Sequence, residues 1–475
     1  MPATDSPALI VARFLKSSNY TETYDAFIAE AGLPADAGMV SKGDLTIEQL
    51  LEEKKTFDLS RDFEKLGVEA DDGKGWRMPG KSPMENTLTT GLPAPEHAEI
   101  ISTLPTSSNI LSAAVFDTDE SVPSLFVTSA DRRLHILDAT TKELRNSLVG
   151  LQDSPILSCV VFRQKHLLTA SMSGQLLVSD LNGSTIEKRR DHSKYIVKIA
   201  VLDDGDELLI ATAGWDGKIV VYKPAITSDD KLSLGDPVAT ITLQTKPEAM
   251  VFIQHPDEEK PLLLITRTDS SFLYYYTLES TPRLLGRQNL APHSNAWVAF
   301  TPSSLALSPH DPTLVAVGTS TVPHMKLLII RLLIPSYSST PQASGQAPLV
   351  RTSWLDSTPV AETQSSQARR ELAIADRESA AIIIHCTTMA PQTAYSTPCV
   401  AWRPDGTGVW VNGDDGAVRG VEVSSGKVVR TLVGGHEAGS KVRCLWAGVV
   451  EGMGECMVSG GFDQRCVVWG VGGGE

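Results

Sequence analysis

Paired cysteines, long apolar runs and a surplus of positive charge are all missing from this 475-residue chain. Its six cysteines include no C-x-x-C pair, which argues against both a disulfide framework and a cysteine metal site. Cys399, Cys444, Cys456 and Cys466 cluster late, each in an apolar run where buried free thiols are common. No stretch approaches the ~18 apolar residues of a membrane span. The opening MPATDSPALI has no basic segment followed by an apolar one. The expectation is therefore no secretory leader, no membrane association and an intracellular location, cytoplasm or nucleus. With 42 basic residues against 57 acidic ones the formal charge is −15. Nucleic-acid-binding chains ordinarily carry a basic face, whereas the densest basic run here is Lys188-Arg189-Arg190. Nucleic acid is not expected as the main partner.

Motifs of catalysis are missing too. There is no G-x4-G-K-[ST], no G-x-G-x-x-G after a strand and no H-E-x-x-H. The terminal GVGGGE has no following helix to bind a phosphate. His385 and Cys386 are neighbours on a strand-like run, so they point to opposite faces and make a poor metal pair. The sequence predicts no enzyme, no cofactor and no bound metal.

What is present begins with two short aromatic-rich helices. Around "ARFLKSSNYTETYDAFIAEAG", residues 12–32, Ile10, Phe14 and Leu15 share a helical face. Tyr20, Tyr24 and Phe27 follow at spacings of four and three. Asn19 suits a left-handed turn, Thr21 stands where a residue could cap the second helix, and Gly32 with Pro34 ends it. The stretch resembles the LisH motif in order and spacing, departing from it at Asn19, where the family usually has Gly, and at Tyr24, where a small residue is usual. The resemblance implies a homodimer formed through a four-helix arrangement. Physical chemistry agrees, because so short a pair buries too little area alone. The alternative is that the pair packs on its own C-terminal domain. Thr46 with Gln49 reads as a capping box before QLLEEKK, and DLSRDFEKLG puts Leu59, Phe63 and Leu66 on one face. Two more helices are expected there, extending the dimer core or opening a CTLH-like region. Residues 70–96 have no periodicity and read as a flexible linker between a helical region, 1–69, and a β region, 97–475.

Internal repetition governs that β region. "SADRRLHILD", "GWDGKIVVYK", "GDDGAVRGVE" and "GFDQRCVVWG" align on Asp131, Asp216, Asp415 and Asp463. "MSGQLLVSD" has Ser173 at that place, and "TDSSFLYYY" has Asp269. A second strand such as SLFVTS or HLLTAS precedes each, and an earlier one such as ILSAAVF or YIVKIAV precedes that. Strand, strand, tight turn and strand, recurring every ~40–45 residues, resembles the WD40 β-propeller repeat. The last unit holds the family's complete set: His436, Ser459, Asp463 and Trp469, expected to form one hydrogen-bonded chain inside the blade. His192, Thr212, Asp216 and Tyr222 form a near copy. Ser, His and Asp are also the residue types of a hydrolase triad, but no nucleophile elbow accompanies them, so a structural role is expected.

Eight candidate units begin near residues 110, 155, 195, 247, 303, 350, 397 and 441, the sixth cramped. The fold class expected is mainly β: a WD40-type propeller of seven blades, or eight. A strand near "EHAEIISTL" completes the last blade, and a Ser/Pro-rich insertion covers about 335–370. In the family the residue before the turn aspartate lies near the top of the central channel. Here those residues are Ala130, Trp215, Asp414 and Phe462, and the aromatic pair is the candidate partner-binding site, unless both rings pack on neighbouring loops. The function this implies is a dimeric, non-enzymatic scaffold for partner proteins of unknown identity. The alternatives are a ubiquitin-ligase substrate receptor, of CTLH more than cullin type, and a chromatin or corepressor subunit.

Overall fold

A computed structural model describes residues 7–34, 36–39, 46–47, 94–105, 107–119, 122–205, 207–226, 232–258, 260–294, 298–337 and 364–471. The chain divides into two compact units, Met1–Lys74 and Gly75–Glu475. No described helix is long and apolar enough to cross a membrane.

In the first unit, α1 spans Pro7–Ser17 and α2 spans Thr21–Glu30. The turn between them depends on Asn19, which takes a φ of 59°. Of the non-glycine residues Asn tolerates this left-handed conformation best, so the chain can reverse within three residues. Tyr24 is buried, its hydroxyl accepts the Gly38 N–H at 3.2 Å, and the Lys16 ammonium lies 5.2 Å from its ring centre. Thr21 does not cap α2. It is the first helical residue, and the cap position falls to Tyr20, whose side chain makes no capping bond. The extra helices expected after residue 46, the capping box that opens them and most of the 70–96 linker lie outside the described residues.

The second unit is a ring of seven four-stranded antiparallel sheets among the described residues. Their inner strands are Ile110–Phe116, Ile156–Phe162, Ile196–Asp203, Pro247–Gln254, Thr301–Leu307, Val400–Trp402 and Val442–Val450, which number blades 1 to 7. Middle strands such as Ser124–Ser129, His166–Ser171 and Leu208–Gly214 are buried at every position. Both faces of each sheet are covered by neighbouring blades, so these strands carry apolar or small residues throughout rather than in alternation. The core is accordingly divided into seven apolar clusters, one at each interface between adjacent blades.

The ring closes where His97–Ile100 pairs antiparallel with Cys466–Gly470, setting Glu99 opposite Val468. The first strand of the ring thereby becomes the outer strand of blade 7 and covers an edge that would otherwise be open. Blades 6 and 7 are also joined by a buried ion pair, Arg403 Nε to Glu455 Oε1 at 2.8 Å and Nη2 to Oε2 at 2.6 Å. Two parallel N–H···O bonds of this kind compensate the desolvation of both charges.

The sixth of the eight candidate units, near residue 350, is not a blade. "ELAIAD" lies in α3, Gln364–Ala380, and "IIIHC" opens the outer strand of blade 5, Ile382–Pro391. The long connection between the third and outer strands of blade 5 therefore holds the insertion, of which 338–363 lie outside the described residues. Its helix is anchored by buried Glu378, whose Oε1 accepts the Asn289 N–H at 2.8 Å.

Candidate functional site

Blade 7 brings His436, Ser459, Asp463 and Trp469 into one chain. His436 Nδ1 lies 3.0 Å from Asp463 Oδ2, its Nε2 lies 2.8 Å from Ser459 Oγ, and Trp469 Nε1–H donates to the same Oγ at 2.8 Å. With Nδ1–H given to the carboxylate, Nε2 accepts the serine proton. Burial pushes the Asp463 carboxyl up, but bonds from His436 and the Glu437 N–H outweigh it and hold the group below its usual range. These are the pairwise contacts of a hydrolase triad. The side chains of His436 and Asp463 and all of Ser459 are sealed from solvent, however, and Trp469 occupies the serine oxygen. No substrate reaches that hydroxyl. The cluster joins the segment before the inner strand to the turn and to the middle strands.

Blade 3 repeats the arrangement with His192 Nδ1 at 3.1 Å from Asp216 Oδ1 and Nε2 at 2.9 Å from Thr212 Oγ1. Tyr222 turns its hydroxyl to Asp191 Oδ2 at 2.7 Å. In blade 1 Asp131 accepts from Ser129, and in blade 6 Asp415 pairs with Arg419. Thus all four aligned aspartates are held, by different donors.

In three blades the residue before the aspartate donates its N–H to the residue just ahead of the inner strand: Ala130 to Asn109, Trp215 to Tyr195 and Phe462 to Lys441, each at 2.9 Å; in blade 6 Asp414 instead donates to Pro391, the end of blade 5's outer strand, at 3.1 Å. Asp414 is tied to Lys441 at 2.9 Å. Trp215 and Phe462 are each 39% exposed. Neither is bare: Trp215 stacks on Tyr195 at 5.4 Å, with Lys246 Nζ at 4.7 Å from its centre, and the Arg443 guanidinium lies 5.9 Å from the Phe462 centre. Each ring therefore offers an edge and part of a face, backed by a cation.

Trp215 lines a cavity of about 220 Å³ together with Lys198, Glu248, Ser303, Cys399 and Arg443, the last of which lies beside Phe462. Two of its charged residues, Glu248 and Arg443, arrive by a repeated backbone device. The inner strand is bulged near its start in six of the seven blades, displacing Leu111, Leu157, Val197, Glu248, Ser303 and Arg443. A bulge puts an unpaired residue into the strand and re-aims its side chain. Arg443 Nη1 donates to Thr397 Oγ1 at 3.1 Å, while its buried Nε–H has no acceptor among the described residues. Such a group costs about 1–3 kcal/mol until one is supplied. Burial also lowers the Arg443 pKa from its ordinary value. Burial pushes the Glu248 carboxyl up to about 7, against a hydrogen bond from Ser303 and the charge of Lys246.

Residues 92–470 match the family described as UCP007778, beta-propeller domain. The chain belongs to that family. No match was found among curated proteins. The matched span of this UCP007778 propeller includes every residue of the channel mouth, and the helix pair lies before it. Trp215 and Phe462 were legible in its sequence as pre-turn residues. Lys198, Glu248 and Arg443 were not singled out, although each interrupts an apolar inner strand, in IVKIAV, PEAMVF and KVRCLW. That interruption was the available signal.

Proposed function

We propose that this propeller protein is a non-enzymatic interaction scaffold of the WD40 type, which binds partner proteins at the channel mouth and is coupled into dimers by its LisH-like helix pair. The observation that carries the reading is the pair of part-exposed aromatics in matching turns, Trp215 lining the cavity and Phe462 beside the Arg443 that lines it. Large aromatics with partly open faces are the residue class that dominates binding energy at protein interfaces. A rigid ring of blades holds them without an ordering cost, so little affinity is lost when a partner docks. Two propellers joined through Ile10, Phe14, Leu15, Tyr20, Tyr24 and Phe27 gain avidity of ~10²–10⁴ for a repeated partner that both sites can reach at once.

The test compares proteins recovered from native extract by the full chain and by the Trp215→Ala/Phe462→Ala double variant. The expected result is loss of the recovered set with a fall in melting temperature of no more than about 3 °C, since half-exposed surface side chains contribute little to stability. Recovery of the same proteins by both chains would overturn the reading.

A further inference from the structure

We infer that the channel mouth is built to take an acidic side chain, an Asp or Glu from an extended partner segment, with Arg443 as its main contact. The inference rests on the reading of this face as a binding surface and adds the chemistry of what it binds. Although the chain carries a net charge of −15, Lys198 and Arg443 line the cavity and Lys246 stands over the Trp215 that lines it. Their surroundings differ from those of three cations in the neighbouring turns. Arg419 is paired with Asp415, Lys441 with Asp414 at 2.9 Å and Arg465 with Glu437 at 3.1 Å. Lys198, Lys246 and Arg443 have no carboxylate within ion-pair distance among the described residues.

Arg443 makes the strongest demand. One arm of its guanidinium is held by Thr397, its plane lies beside Phe462, and its buried Nε–H still lacks an acceptor among the described residues. Because Arg443 lines the cavity, a carboxylate entering there can take a charge-assisted bond from its guanidinium. Glu248 lines the cavity too, yet burial raises its pKa to about 7, so at neutral pH it offsets only part of the positive charge, and its protonated form can donate to an incoming carboxylate oxygen. A lysine or arginine would meet three cations instead. The cavity of about 220 Å³ is scaled to a side chain and not to a folded element, and Trp215 at its edge can cover the peptide carrying the acid.

The experiment selects a phage-displayed library of random twelve-residue peptides on the full chain. Enrichment of Asp or Glu at one position is expected. A synthetic peptide from that selection should bind Arg443→Gln and Lys198→Glu at least about tenfold more weakly, the loss of one charge-assisted bond. Lys198 is exposed, so its variant keeps the test decisive even if Arg443→Gln folds poorly. Acidic peptides that bind both variants as well as the parent would overturn the inference. Peptides without acidic enrichment that nevertheless lose binding to Trp215→Ala/Phe462→Ala would end it while leaving the surface reading standing. Selected peptides indifferent to all four residues, or a selection that enriches nothing, would end both.

Discussion

Glu248 and Arg443 occupy the same bulged place on the inner strands of blades 4 and 7, and there burial acts on opposite charges. For the carboxyl, the folded protein holds its proton up to about 7, whereas an unperturbed glutamate releases it near 4.5. An acid whose pKa is raised by folding binds more protons in the native state, so stability falls as pH rises through that window. Discounted for partial solvent access, the loss between pH 5 and pH 8 is about 1–2 kcal/mol. Glu248→Gln removes the charge and keeps the shape. In urea titrations it should stabilise the protein clearly at pH 8 and little at pH 5; an equal gain at both would show that burial does not govern this group. The same side chain tunes the charge of the mouth, so one residue links local desolvation to binding.

At the scale of elements, the closing strand and the insertion helix carry opposite lessons. His97–Ile100 has only exposed residues, yet it pairs along the full length of Cys466–Gly470. Its contribution is to cover an edge and hold the last blade to the first, more than to add core. A chain lacking residues 1–101 should lose amide hydrogen-exchange protection in Cys466–Gly470 by at least about tenfold, while blade 3 keeps its own, because opening is local to the unpaired edge. Equal protection of blade 7 in both chains would show that the remaining strands suffice. The helix shows where pattern reading failed. "ELAIAD" alternates like a strand, but its Glu, Leu and Ala are strong helix formers and QARR precedes it. In α3 Leu372 and Ile374 are exposed, so no buried face selects a period and local propensity decides.

For the whole molecule, the proposed dimer predicts a defined mass. The 51.1 kDa chain should sediment at twice that value at micromolar concentration, and Phe14→Ser with Leu15→Ser should return it to one copy. A single-copy species in the parent chain would remove the coupling from the account and leave the channel mouth untouched. Separating these outcomes matters, because avidity multiplies an affinity that one propeller must already have.

Blade repetition was written into the sequence, because each blade is a local unit whose turn aspartate, middle strands and aromatic marker recur at a readable period. Repeat spacing together with the resemblance to a known propeller repeat was enough to draw His436, Ser459, Asp463 and Trp469 together, since all belong to one blade. Tertiary structure decided the number of blades, the burial that separates this cluster from a triad, and the charged mouth. The physical reason is range. A blade is settled by neighbours within some forty residues, whereas the mouth assembles side chains from Lys198 to Arg443, through backbone bulges that no pattern of residue types records and a burial that exists only once the ring has closed.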